Sequence, residues 1–134
     1  PRRGIRVLVI EDSGDQAELY CTMIRMLGHV PAAARDGAQG LKKAKEIKPD
    51  VILCDIGLPE KSGYEVARAI REEEGLKDVL LIALTGYAGG RDIRQAEESG
   101  FDRHLAKPLQ GKELQKILSE GRPAYGKADP GIDR

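Results

Sequence analysis

Five residues of this sequence stand where apolar runs stop. Glu11 and Asp12 follow IRVLVI, Asp55 follows VILC, Thr85 follows VLLIAL, and Lys107 follows HLA. Three carboxylates, a hydroxyl and an ammonium form a coherent chemical set if they meet in space. Clustered carboxylates repel one another unless a cation joins them. Hard oxygen donors with room for water suit Mg2+ (or Mn2+), which takes one or two carboxylates plus a phosphate oxygen. A hydroxyl and an ammonium facing that cation would hold the remaining oxygens of a phosphoryl group. A carboxylate in front of the phosphorus can attack it and form an acyl phosphate. The set points to metal-assisted phosphorylation of an aspartate.

These residues meet only if the intervening elements carry them to one edge. Residues 5–10 read as a strand, and Ser13 with Gln16 has the pattern of a capping box opening a helix to about Leu27. Leu19, Met23, Met26 and Leu27 make the expected inward stripe of that helix, and Gly28 stops it. A second strand is expected over 30–34. Asp36 then caps a helix over 37–48, with Ala38, Leu41, Ala44 and Ile47 inward and Pro49 as the stop. Residues 51–54 form a third strand, and Gly57, Pro59 and Gly63 mark a loop. Ser62 and Glu65 form a second capping box, starting a helix to about Glu74. Residues 79–84 read as a fourth strand and 86–90 as a loop. A short helix follows, with Ile93 and Ala96 inward and Gly100 as its stop. A brief strand over 104–106 precedes a last helix over 111–120, with Leu114, Ile117 and Leu118 on one face.

Five strands thus alternate with five helices. Wholly apolar strands imply burial on both faces, hence an α/β fold with a parallel sheet between two helix layers. In such a sheet the C-terminal strand ends share one edge, which is where these folds bind ligands. Glu11, Asp12, Asp55, Thr85 and Lys107 are expected to converge there.

Composition narrows the classes of function. Lys+Arg and Asp+Glu both total 22, so the net charge is +0 and no chain-wide basic field exists for nucleic acid or an anionic membrane. The longest apolar run, 79–84, is far short of the roughly 20 residues that span a bilayer. No signal peptide is recognisable in the first residues. Cys21 and Cys54 lack CxxC spacing and read as small buried hydrophobes, which fits a reduced, cytoplasmic setting. His29 has no partner spacing and reads as a surface residue, His104 as half-buried packing, and Tyr64 and Tyr87 as loop-edge aromatics. Residues 121–134 are rich in Gly and Pro without periodicity, the pattern of a tail or linker.

With these residues in view, the chain over 5–120 resembles a receiver (response-regulator) domain of bacterial two-component signalling. The resemblance is carried by Glu11-Asp12, VILCD, the loop IGLPEKSGYE, LIALT and HLAKP. It implies a flavodoxin-like (βα)5 doubly wound fold. Asp55 would be the phosphoacceptor, fed from a phosphohistidine of a histidine kinase or a histidine phosphotransfer protein. Asp12 would ligate Mg2+ directly, Glu11 mainly through water, and Gly57 through its backbone carbonyl. Lys107 and Thr85 would hold phosphoryl oxygens, and the Lys107-Pro108 peptide would be cis.

The sequence departs from the family pattern at the switch position, where His104 replaces the usual Tyr or Phe. A histidine there presents a different readout surface and is open to control by pH. Tyr87 and Gly57 stand two residues after Thr85 and Asp55, at sites that influence hydrolysis in the family. The style of GFDRHLAKP resembles receivers of hybrid sensor histidine kinases. A start at Pro1 and a Pro/Gly-rich end suit a piece cut from such a protein, whose parent could be membrane-anchored. A homodimer stays open.

Other classes fit less well. An aspartyl phosphatase would carry a second acid two residues after its nucleophile, where Gly57 stands. A flavodoxin-like cofactor binder would not place Glu11 and Asp12 against the FMN phosphate. A receiver-like module that is never phosphorylated would have no need of the full acid and lysine set. The domain is expected to promote its own phosphorylation and dephosphorylation rather than to act as an independent enzyme.

Overall fold

The structure, a computed structural model, describes residues 4–58, 62–86 and 90–120. Pro59, Tyr87 and the expected tail over 121–134 lie outside the described residues. Strands β1 (Arg6–Ile10), β2 (Val30–Ala34), β3 (Val51–Asp55), β4 (Leu80–Thr85) and β5 (Arg103–Ala106) form one sheet. All pair in parallel, in the order β2-β1-β3-β4-β5. Helices α1 (Gly14–Met26), α2 (Gly37–Ile47), α3 (Gly63–Glu72), α4 (Gly90–Ser99) and α5 (Gly111–Glu120) cover the sheet, and a 3-10 turn, Glu74–Leu76, follows α3.

Burial on both faces explains why residues 7–10, 51–54 and 80–84 of β1, β3 and β4 are apolar without a break. Val7, Val9, Leu53, Ile82 and Leu84 pack with Tyr20 and Ile24 of α1 and with Leu114 and Leu118 of α5. Their neighbours Leu8, Ile10, Ile52, Cys54 and Leu81 face the other way, against Ala44 of α2, Val66 and Ile70 of α3, and Ala96 of α4. Both cysteines are buried in these layers. Because β1 is followed by β2 on one side and β3 on the other, the connections diverge between β1 and β3. That divergence opens a crevice above the two strand ends.

Several local expectations hold. Ser62 and Glu65 make a reciprocal capping box, Asp36 accepts the Gln39 N–H at 2.8 Å, and the Lys107-Pro108 peptide is cis. Others need correction. Helix α1 buries Ala17, Tyr20, Cys21 and Ile24, while Leu19 and Met26 are exposed and Met23 and Leu27 are only partly covered. Two adjacent apolar stripes compete on this helix, and the sheet selects the one carrying Tyr20 and Ile24. Ala38 is exposed, because α2 leans on Gly37, Gly40 and Ala44 instead. Ser13 accepts the Gln16 N–H at 3.3 Å, but its own N–H donates to Glu11 Oε2, so no reciprocal box forms. Helix α3 ends at Glu72 rather than Glu74. His29 is buried, and its Nδ1 accepts the Ile5 N–H at 3.2 Å, closing the gap between α1 and the start of β1. His104 is exposed rather than half-buried.

The edge opposite the strand ends is tied by Arg71. Its guanidinium donates to the carbonyls of Gly100 (2.8 Å), Lys77 (3.0 Å) and Val79 (2.8 Å), and to Asp102 Oδ2 (2.7 Å). The same Asp102 oxygen accepts the Leu81 N–H at 2.9 Å. One side chain of α3 thereby joins the end of α4 to the beginnings of β4 and β5. At the sheet's outer edge, Val30 of β2 donates its N–H inward to Ile5 at 2.9 Å. The next residue, Pro31, therefore turns its missing N–H to the open side.

Candidate functional site

Each expected site residue sits at the C-terminal edge of the sheet. Glu11 extends the β1–β2 ladder by one bond, its N–H donating to Ala34 O at 3.0 Å, and this holds its side chain inside. Asp12 follows and is exposed. Asp55 and Thr85 are the last residues of β3 and β4, not residues beyond them, and both are buried. Lys107 is placed one residue past β5, with its N–H donating to Thr85 O at 2.7 Å. Its long side chain reaches across the end of β4 to β3.

The functional atoms converge. Carboxylate oxygens of Glu11, Asp12 and Asp55 all lie within 4.8 Å of one another. Lys107 Nζ is 3.2 Å from Asp55 Oδ2 and 3.7 Å from Glu11 Oε1. The other Asp55 oxygen, Oδ1, accepts the Gly57 N–H at 3.0 Å. Glu11 Oε2 accepts the Ser13 N–H at 3.1 Å.

Among the described residues, Glu11 Oε1 and Thr85 Oγ1 are buried oxygens with no hydrogen-bond partner. Leaving a buried polar atom unsatisfied costs about 1–3 kcal/mol, so such atoms in a crevice mark a place where a ligand supplies the missing bonds. Burial raises the Glu11 pKa, with the negative charge of Asp55 pushing the same way against the Ser13 N–H and Lys107. Burial pulls Lys107 down, but Asp55 and Glu11 outweigh it and its pKa is raised. The ammonium is therefore firmly charged at neutral pH.

Above Asp55 lies a cleft of about 390 Å³, lined by Ile56, Gly57, Tyr64, Thr85, Gly86 and Lys107. Its floor depends on Gly63, where a Cβ would stand 2.7 Å from Ile56 Cα and 2.8 Å from Asp55 O. Spacing marks Gly63 as a loop residue and Tyr64 as an edge aromatic, equally suited to packing and to binding. A glycine directly after a Ser cap was the available signal. The Asp55 carboxylate, the Lys107 ammonium and the Thr85 hydroxyl around this cleft, with Glu11 and Asp12 beside Asp55, can take a phosphoryl group and a hard cation. The donor set fits Mg2+, since all three acids supply oxygen and Asp12 leaves one side open to water.

Comparison with known proteins agrees with the geometry. The model of the response regulator receiver domain family matches residues 7–119. The chain belongs to this family. It is a receiver domain of two-component signalling, with the five-stranded, doubly wound fold of its relatives.

This receiver is 36% identical over 109 residues to the DNA-binding response regulator MtrA of Mycolicibacterium paratuberculosis, covering 81% of this chain and 47% of that protein. It thus spans about half the length of the MtrA relatives it matches. It is 32% identical to the polar-differentiation response regulator DivK of Brucella anthropi, covering 77% of this chain and 84% of the relative. Among solved structures it resembles the receiver domain of a Pseudomonas aeruginosa sensor histidine kinase, which holds a magnesium ion in its active-site cleft. That match has a TM-score of 0.81 and 35% identity over 88% of this chain and 97% of the other. The Vibrio cholerae chemotaxis protein CheY4 superposes with a TM-score of 0.84 at 25% identity, over 88% and 98% of the two chains. Among the described residues, no helix is long and apolar enough to cross a membrane.

Proposed function

We propose that this receiver takes a phosphoryl group onto Asp55 from the phosphohistidine of a histidine kinase or phosphotransfer protein, using Mg2+ in the cytoplasm. The observation that carries this reading is the placement of Lys107 Nζ 3.2 Å from Asp55, beside three converging carboxylates. A carboxylate oxygen of Asp55 attacks phosphorus, the P–N bond to the donor imidazole breaks, and the electron pair leaves with the ring nitrogen. Asp12 would hold the cation directly, Glu11 mainly through water, and Asp55 and the Gly57 carbonyl would complete the set. The cation supplies charge neutralisation on the phosphoryl oxygens. Lys107 meets one of those oxygens, and Thr85 turns its unsatisfied hydroxyl to another.

The movement of Thr85 would couple to His104, which stands on β5 opposite Ala83, two residues back from Thr85 along the sheet, shifting the population between two packed states. The working unit is residues 5–120, with 121–134 as a linker to further domains such as those of a hybrid kinase. The test is incubation with acetyl phosphate and Mg2+ followed by intact mass. The wild type should gain one phosphoryl group and Asp55→Asn none. A full gain in Asp55→Asn would overturn the assignment.

A further inference from the structure

Asp12 is exposed and begins a loop, so something other than burial must keep it in register with Glu11 and Asp55. The peptide that joins Asp12 to Ser13 is held at both ends. Arg35, the first residue after β2, donates from Nε (3.0 Å) and Nη2 (2.7 Å) to Asp12 O. At the other end of that peptide the Ser13 N–H donates to Glu11 Oε2. The Arg35 backbone is itself anchored, its N–H donating to Gln39 Oε1 at 3.2 Å. The guanidinium lies against the first turn of α1, 3.0 Å from where a Cβ on Gly14 would stand.

We infer that Arg35 is a positioning residue for the acid pair: by fixing the Asp12–Ser13 peptide it orients Asp12 and Glu11 toward a divalent cation. The two hydrogen-bond donors withdraw density from the Asp12 carbonyl, which makes the Ser13 N–H a better donor along the same peptide. That bond keeps Glu11 Oε2 occupied and leaves Oε1, 3.7 Å from Lys107 Nζ, for the cluster. The inference rests on the Mg2+ site proposed above.

Sign separates this role from a plain charge effect. A positive side chain near a cation site repels the cation, so deleting a bystander arginine would tighten Mg2+ binding. Deleting a positioning arginine loosens it. The experiment is calorimetric titration with Mg2+, together with amide NMR spectra of the metal-free protein. The set comprises the wild type, Arg35→Met, Arg35→Lys and the charge control Lys42→Met. Arg35→Met should raise the Mg2+ Kd about 10-fold, the low end for loss of a partner that orients a metal ligand. It should also move the Ser13 amide proton upfield before any metal is added. Arg35→Lys should recover part of both effects, and Lys42→Met should leave the Kd equal or tighter. Arg35→Gln, which keeps a donor on a shorter arm, repeats the test if Arg35→Met does not fold. A Kd in Arg35→Met equal to or tighter than wild type overturns the inference. If the wild type binds no Mg2+, the proposed function is what fails, and the Ser13 amide shift alone then decides whether Arg35 holds the peptide.

Discussion

Glu11→Gln should stabilise the metal-free protein, although it alters a carboxylate that is almost wholly buried and makes native contacts. The ionised carboxylate feels Lys107 at 3.7 Å, an attraction of about 4.5 kcal/mol at an effective dielectric of about 20. Asp55, within 4.8 Å, repels it by at least about 3.5 kcal/mol on the same scale. Asp12 adds a smaller, solvent-screened repulsion. The charge terms nearly cancel, which leaves the Ser13 N–H as the main offset to the desolvation of Glu11, and burial outweighs it.

The raised Glu11 pKa has the same sign. The protonated form is favoured on folding, so this stabilising contribution is present below the ordinary range of an unfolded glutamate. It is lost as pH climbs through the higher folded value. At pH 7 without metal, Glu11→Gln should gain about 1–2 kcal/mol, or roughly 4–8 °C in Tm. With Mg2+ the order should narrow or invert, since the cation stabilises the wild-type carboxylate cluster by mass action. Thermal melts of both proteins at pH 5 and pH 7, in EDTA and in millimolar Mg2+, read all four conditions. A lower Tm for Glu11→Gln in EDTA at pH 7 would refute the reasoning, and so would a wild-type Tm indifferent to Mg2+.

Arg71→Met should cost about 3 kcal/mol in a urea melt, because it removes the hydrogen bonds to the carbonyls of Gly100, Lys77 and Val79 and the ion pair with Asp102. Acetyl phosphate labelling at low temperature should be little changed, since this edge lies opposite the strand ends. His104→Phe should enlarge the NMR shift changes that beryllofluoride induces along β5, because a larger apolar ring favours an inward state more than an exposed imidazole does. Equal changes in wild type and variant would make His104 a bystander.

The sheet and the chemical set were legible because both rest on strong local signals. Strands apolar on both faces have few alternatives, and an acid, hydroxyl or lysine at the end of each stands out. What escaped was set by long-range contact. His29 bonds to Ile5, 24 positions away, and Arg35 reaches Asp12, 23 positions away. Neither distance leaves a trace in spacing or periodicity. The face of α1 was misread because Leu19 and Met26 are as apolar as the residues that in fact meet the sheet. Gly63 was recognised as a break in the chain, yet its reason, the close approach of α3 to the Asp55 carbonyl, exists only in three dimensions.

The orientation of Pro31 bears on how this domain behaves in a crowd. A five-stranded parallel sheet ends in two open borders, each able to recruit a stranger's backbone and grow. Along β2 the small side chains Ala32 and Ala33 would offer little steric hindrance to such recruitment. The proline removes one outward hydrogen near the start of that border without breaking the ladder to β1, because the inward donor belongs to Val30. Pro31 thus withholds one donor from the open border at a position where the native sheet loses no hydrogen bond.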